Sequence, residues 1–185
     1  IVPVNSCFDT KIDESVISTN SLHGKVIKFL YDNNLVSQTV LDKKIKSSLK
    51  EQGISSVNIG NDVKKGGKSV GNYNRYPIGS TAFVDIGNVR YHFIALSIIE
   101  NNKNAVTNDQ DYLTVLNAIV DNCFRNSNGN PIYLPLIGSG LSKLNYNHQQ
   151  QLEFMVKYFM LRKTKLTSDV EIVIRKEDGD TISIL

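Results

Sequence analysis

The chain has 185 residues, 41% of them hydrophobic and 21% charged, with a formal net charge of +3. That length fits one domain with a full core, and a charge so small and dispersed excludes a duplex-nucleic-acid binder. Its two cysteines lie far apart, it has no Asn-x-Ser/Thr sequon, and no apolar run reaches about 18 residues. A disulfide framework and a membrane span within the chain are therefore excluded, and a reducing cytosolic compartment is expected.

Ile1–Val4 reads as a strand that ends in the polar loop Asn5-Ser6-Cys7-Phe8-Asp9-Thr10. The chain starts at Ile1 rather than Met, inside this core-like run, so preceding residues are expected. Ser18-Thr19-Asn20-Ser21 supplies helix N-cap candidates for Leu22–Asp32, with Leu22, Val26, Phe29 and Leu30 expected on the inner face. Val36–Gln52 reads as a second helix with Val36, Val40, Leu41, Ile45 and Leu49 in one stripe, stopped by Gly53. Ile54–Ile59 suits a short strand. Gly60–Arg75 reads as a mobile surface loop. Its Gly67-Lys68-Ser69 is no phosphate loop of the Walker type, because Asp62 stands where the leading glycine is required and no strand precedes it.

Ile78–Ile86 and Val89–Ile98 flank Gly87-Asn88, the strongest hairpin signal in the chain. Asn108–Phe124 carries Tyr112, Val115, Leu116, Ile119, Val120 and Cys123 at helical spacing. Ile132–Leu136 is a strand and His148–Arg162 a helix with Leu152, Met155, Val156 and Phe159 inward. Val170–Ile174 and Thr181–Leu185 read as final strands around a turn at Asp178-Gly179-Asp180. This order predicts an α/β domain, a mixed sheet sandwiched by helices, without repeats or a linker.

Two strands end in a polar or glycine-rich loop followed by a helix start: the one before Asn5, and Ile132–Leu136 before Gly138-Ser139-Gly140. Such a junction converges backbone N–H groups on one point and suits an anion, phosphate above all. In open α/β sheets ligands sit at these strand ends.

The residues of acid–base chemistry are sparse. Cys7 is a nucleophile only with a base beside it, and otherwise fills the loop; Cys123 is core. His23, His92 and His148 lie in unrelated elements without metal spacing, and only His23 adjoins the anion loop. Asp9 suits either a ribose hydrogen bond or an Asx turn. Arg75-Tyr76-Pro77 suits either a strand entry or a base-stacking, phosphate-pairing corner. No metal and no catalytic pair is expected.

Several segments resemble macro domains: Ile1-Val-Pro-Val-Asn5, Ser21-Leu-His-Gly-Lys-Val26, Tyr76-Pro-Ile-Gly-Ser-Thr81, Tyr91-His-Phe-Ile-Ala-Leu96 and Ile132-Tyr-Leu-Pro-Leu-Ile-Gly-Ser-Gly140. More closely, Pro3-Val-Asn-Ser-Cys-Phe-Asp-Thr10, Ser21-Leu-His-Gly24 and Pro135-Leu-Ile-Gly-Ser-Gly-Leu-Ser142 resemble the divergent macro domain of membrane-anchored Thoeris antiphage effectors of the ThsA type. The resemblance covers residues 1 to about 174 and implies a single domain, a three-layer α/β/α macro-domain-like mixed sheet.

It further implies a sensor without cofactor that binds an ADP-ribose-type nucleotide, such as a histidine conjugate of ADP-ribose made by a partner TIR-domain protein. The ligand would lie against Gly138, Ser139, Gly140, Leu141 and Ser142 on one side and Ser21, Leu22, His23 and Gly24 on the other. Asn5, Cys7, Phe8, Asp9 and Thr10 would surround the distal ribose, with Arg75 and Pro77 at the corner. The adenine-reading acid of macro domains is expected upstream of Ile1, as are membrane-spanning helices that would leave this domain in the cytoplasm. Self-association of the full-length protein is implied as well. The alternative is a macro-type ADP-ribosyl hydrolase, against which stands the absence of paired asparagines and a triple glycine from the first loop. An RNA-binding macro domain is disfavoured by the charge.

Overall fold

The computed structural model describes residues 1–62, 68–99, 106–138 and 146–183. Strand β1 (Val2–Asn5) runs parallel to β5 (Val89–Ser97), with Val2 opposite Phe93 and Val4 opposite Ala95. The register slips between Val4 and Asn5, so that Asn5 lies opposite Ser97. A bulge of this kind re-aims the chain where a strand gives way to a loop. Strand β4 (Thr81–Ile86) pairs antiparallel with β5 through the two-residue turn Gly87-Asn88, the hairpin foreseen from sequence.

Strand β6 (Ile132–Pro135) pairs parallel with β7 (Val170–Val173). The α-amino group of Ile1 donates to the Tyr133 carbonyl at 2.6 Å, which brings β6 against β1. A minor antiparallel pair joins β2 (Val57–Asn58) to β3 (Asn74–Arg75).

Strand β5 sorts the core into two layers because its side chains alternate and both faces are covered. Phe93 and Ala95 pack with Ile27 and Leu30 of α1 (Leu22–Asp32) and with Leu41, Ile45 and Leu49 of α2 (Gln38–Glu51). Ile94 and Leu96 pack on the other side with Val115 and Leu116 of α3 (Asp109–Ala118) and with Leu152, Met155 and Phe159 of α4 (His148–Leu161). The outcome is the expected α/β/α sandwich on a mixed sheet. Helix α3 runs on as a π-helical turn, Ile119–Cys123, which keeps Ile119, Val120 and Cys123 buried.

Each long helix begins at a side-chain cap: Ser21 to Gly24 N–H, Ser37 to Val40 N–H, Asn108 to Asp111 N–H and Asn147 to Gln150 N–H. These local bonds satisfy otherwise orphaned donors, and they fix the starts of α1 and α4 where the sequence placed them, while the Ser37 cap starts α2 two residues after the expected Val36.

Four expectations are corrected. The buried face of α1 holds His23, Gly24, Ile27 and Leu30, whereas Leu22 and Phe29 are 43% and 54% exposed. On α2 and α4, Val40 and Val156 face outward. Residues 181–183 form no closing strand. The side chain of Arg175 forks onto Asp178 at 2.7 and 3.0 Å, and the Asp178 carbonyl accepts from the Thr181 hydroxyl. These short-range bonds wind Lys176–Thr181 into a 3-10 helix, and Leu185 lies outside the described residues. Within the expected surface loop of 60–75, the described residues 68–75 do not behave as one, since Lys68 is fully buried.

Leu41 and Leu49 are both fully buried and anchor α2 in the layer under β4. Leu41→Ala is expected to cost about 2–5 kcal/mol. Urea unfolding checks this: the midpoint should fall with an unchanged slope.

Candidate functional site

The bulge at the end of β1 delivers Asn5 into the first loop, where its side chain shapes the turn. Asn5 Oδ1 accepts the Cys7 N–H at 3.1 Å and the Asn5 carbonyl accepts the Phe8 N–H at 2.9 Å. The Asx turn foreseen at Asp9 therefore belongs to Asn5. Ser6 N–H donates to the Ser97 carbonyl, and the Ser6 carbonyl accepts from Tyr76 N–H, both at 2.8 Å. Phe8 is buried at a φ of 50°, uncommon for a residue with a Cβ, and meets the edge of Tyr76 at a centroid distance of 5.5 Å.

The Asp9 carboxylate is enclosed and occupied. It pairs with the fully buried Lys68 ammonium and accepts the Asn72 N–H at 2.6 Å. Burial raises the Asp9 carboxyl above its ordinary range, opposed by the adjacent Lys68 and by the Asn72 N–H. The Asn72 amide donates at 3.0 Å both to the Phe8 carbonyl and to Asp42. Gly71 sits at a φ of 85° with its Cα turned onto Asp9; a Cβ there would strike the carboxylate, lying 2.9 Å from its Cγ. A side chain is doubly excluded at that position. Burial pushes the Cys7 thiol up, with Lys68 and Asp9 in its field, so the loop-filling role foreseen for Cys7 fits better than that of a nucleophile.

Helix α1 begins beside this loop. The Ser21 hydroxyl caps Gly24 N–H at 3.0 Å and donates to the Ser18 carbonyl at 2.7 Å. Gly24 backs onto that same strand of chain, where a Cβ would lie 2.9 Å from Ser18 C and 3.1 Å from Thr19 Cα. The first turn of α1 carries no acidic residue, so the positive end of the helix is not neutralised from within. His23 is buried and its ring is hydrogen-bonded to the Asp9 backbone; burial lowers its pKa to about 4, so the imidazole is neutral. Tyr31, further along α1, donates its hydroxyl to the Thr10 carbonyl at 2.7 Å.

At the other junction, β6 leads to Gly138, which is buried at a φ of 91°. That left-handed geometry is the glycine turn foreseen there. The Gln151 amide donates at 3.1 Å to the carbonyls of both Gly138 and Tyr146. Ser139, Gly140, Leu141 and Ser142 lie outside the described residues.

The structure thus brings Asn5, Cys7, Phe8, Asp9 and Thr10 together with Ser21, His23 and Gly24, while Leu22 points outward. At the corner, Arg75 donates to the Ile99 carbonyl at 3.3 Å and Pro77 is exposed; Tyr76 is the residue that touches the loop. A cleft of about 430 Å³ opens between Thr10, Gln38, Asp42, Asn72 and Tyr73, but none of residues 21–24 nor Gly138 lines it. Among the described residues no cluster of His, Cys, Asp or Glu could hold a metal ion, and no helix is long and apolar enough to cross a membrane. Sequence reasoning missed Lys68, Gly71 and Asn72; nothing local marks a lysine whose partner lies 59 positions away.

A mixed sheet between two helical layers, with a capped helix start and a glycine turn following its strands, defines a macro-type α/β domain. The chain belongs to the family described as Thoeris protein ThsA, Macro domain, whose model matches residues 1–175. It is similar to "Thoeris protein ThsA" of Bacillus amyloliquefaciens (strain Y2), 25% identical over 188 residues. That alignment takes in 99% of this chain but 59% of the relative, so the chain spans less than two thirds of the relative's length.

Two outcomes test this geometry. Gly→Ala inside a helix ordinarily stabilises by about 1 kcal/mol. Gly24→Ala is expected to do the reverse, by about 1–3 kcal/mol, because the Ser18–Thr19 backbone must move; urea unfolding gives the sign.

The second concerns pH. His23 and His92 both fall from 6.5 to about 4 through burial, so the unfolded chain binds more protons between those values. Stability is full above about 6.5 and drops as pH falls toward 4. The loss from about pH 7 to about pH 5 should be on the order of 2 kcal/mol per imidazole, and smaller overall in His23→Asn.

Proposed function

We propose that this chain is the sensor domain for an ADP-ribose-derived nucleotide in Thoeris antiphage defence. The observation that carries this reading is the start of α1, capped by Ser21, held close by Gly24 and tied to the first loop through His23. A helix N-terminus without its own acidic residues suits a diphosphate. Gly138, which follows the strand set against β1, stands for the second wall in this reading, and Ser139, Gly140, Leu141 and Ser142 are the further residues assigned to it. Asn5, Cys7, Phe8, Asp9 and Thr10 shape the distal ribose region, and Arg75 and Pro77 flank it.

The family supplies the rest of the reading. The signal is a conjugate such as histidine–ADP-ribose made by a TIR-domain partner. Binding is coupled to self-association of a longer protein with a membrane part, whose cytoplasmic face would hold this domain.

The hydrolase alternative needs a group that activates water beside the distal ribose. The ligand phosphate or Asp9 would serve, and the Asp9 carboxylate is buried against Lys68 and Asn72. Calorimetry with ADP-ribose and with its histidine conjugate tests the reading; both should bind, the conjugate more tightly. Gly140→Glu should weaken binding at least about a hundredfold, by added charge and lost backbone approach, with an unchanged circular dichroism spectrum. Absence of binding to either nucleotide sinks the sensor reading. Sustained release of ADP-ribose from an ADP-ribosylated protein, lost in Asp9→Ala, would establish the hydrolase instead.

A further inference from the structure

Lys68 and Asp9 are 0% and 1% exposed, and their ion pair is the latch of a strap formed by residues 68–76. The strap reaches the first loop at successive points. Asn72 N–H holds the Asp9 carboxylate, the Asn72 amide holds the Phe8 carbonyl, and Tyr76 N–H holds the Ser6 carbonyl. Between these bonds Phe8 keeps its φ of 50°, a conformation that persists only where the surroundings over-determine it. The same Asp9 joins the start of α1 through the bond between its backbone and His23. An uncompensated carboxylate in that loop would add a negative charge near the proposed anion site. Taking one charge of a buried pair away leaves the other stranded, whereas replacing both is far milder.

We propose that Lys68 is a positioning residue for the nucleotide: through Asp9 it fixes residues 6–10 in their receiving shape and cancels a carboxylate charge that would repel the ligand. This rests on the sensor reading above. The groups around Asp9 are Lys68 and Asn72 from the strap, Asn5 and Cys7 from its own loop, His23 from α1, Arg75 beyond Cys7, and Asp42 of α2 behind Asn72. Burial holds His23 neutral and Cys7 protonated, so with Lys68 removed Asp9 is the group whose charge responds to mildly acidic pH.

The test compares this chain with Lys68→Met and with the double variant Lys68→Met/Asp9→Asn. ADP-ribose is titrated by calorimetry at about pH 8 and about pH 5.5, and amide hydrogen exchange is followed over residues 6–10. Lys68→Met is expected to bind at least about tenfold more weakly at the higher pH, recover as Asp9 protonates at the lower, and exchange faster over residues 6–10. The double variant, with no carboxylate at position 9 to titrate, should bind more tightly than Lys68→Met at the higher pH and change little between the two. A folded Lys68→Met with unaltered affinity and exchange overturns the proposal, as does a double variant no tighter than the single one. If Lys68→Met does not fold, the double variant decides: affinity that changes little between the two pH values supports the proposal, and affinity that rises at the lower pH overturns it. If the unaltered chain binds no ADP-ribose, the sensor reading fails by itself. Exchange then judges the latch: faster exchange over residues 6–10 in Lys68→Met supports it and unchanged exchange overturns it.

Discussion

The parallel pairing of β1 with β5 is the constraint on which the other elements depend. Strand β5 is covered on both faces, so its alternation sends Phe93 and Ala95 to the layer of α1 and α2, and Ile94 and Leu96 to that of α3 and α4. Because β1 is held in register with it, Val2 and Val4 face the first layer and Asn5 arrives at the sheet edge after a one-residue slip. Burying side chains of this size is worth about 1.5–3 kcal/mol each, so the register is set far more firmly than any loop contact could set it. The loop after Asn5 inherits its position from that register. Its bonds to Ser97 and Tyr76 then refine a placement already determined by the core.

Elements whose signals are local were legible in the sequence. The hairpin at Gly87-Asn88 and the starts of α1 and α4 rest on bonds spanning a few residues, and they stand where expected. What failed was sidedness. Leu22 and Phe29 are the apolar choices for the inner face of α1, yet His23 and Gly24 occupy it. There the chain of residues 18 and 19 approaches so closely that only a glycine fits, and His23 finds a partner in the Asp9 backbone. Hydrophobic periodicity ranks residues by transfer energy and is blind to close backbone approach. The turn expected at Asp178-Gly179-Asp180 extends into the 3-10 helix Lys176–Thr181 because the Arg175–Asp178 fork supplies local bonds that alternation does not register, and it takes Thr181 from the strand expected to follow.

Of the site, the strand-loop-helix grammar was readable and the electrostatics were not. Asp9 reads as a ribose partner or an Asx turn because its ion-pair partner sits in a stretch of Gly, Asn and Lys with the composition of a surface loop. A buried pair of this kind is a poor source of stability, since desolvating two charges costs about as much as their attraction returns. What it supplies is definition. Lys68, Asn72 and Gly71 converge on one carboxylate from a single strap, and only a specific course of that strap satisfies all three.

Asp9 is committed to Lys68, burial keeps His23 neutral, and the Cys7 thiol is pushed up. A general acid or base is effective when its pKa lies near the operating pH, and burial displaces both His23 and Cys7 from that range. The resource left at the α1 start is directional polarity: a helix end without acidic residues in its first turn, set in place by the Ser21 cap and the Gly24 contact. Such a site favours an anion through fixed dipoles that need little reorganisation on binding, which serves recognition. Bond cleavage would need charge development to be met by a mobile proton as well. The same burial also holds the loop in one shape, and a preorganised shape lowers the ordering cost for whatever ligand fits it.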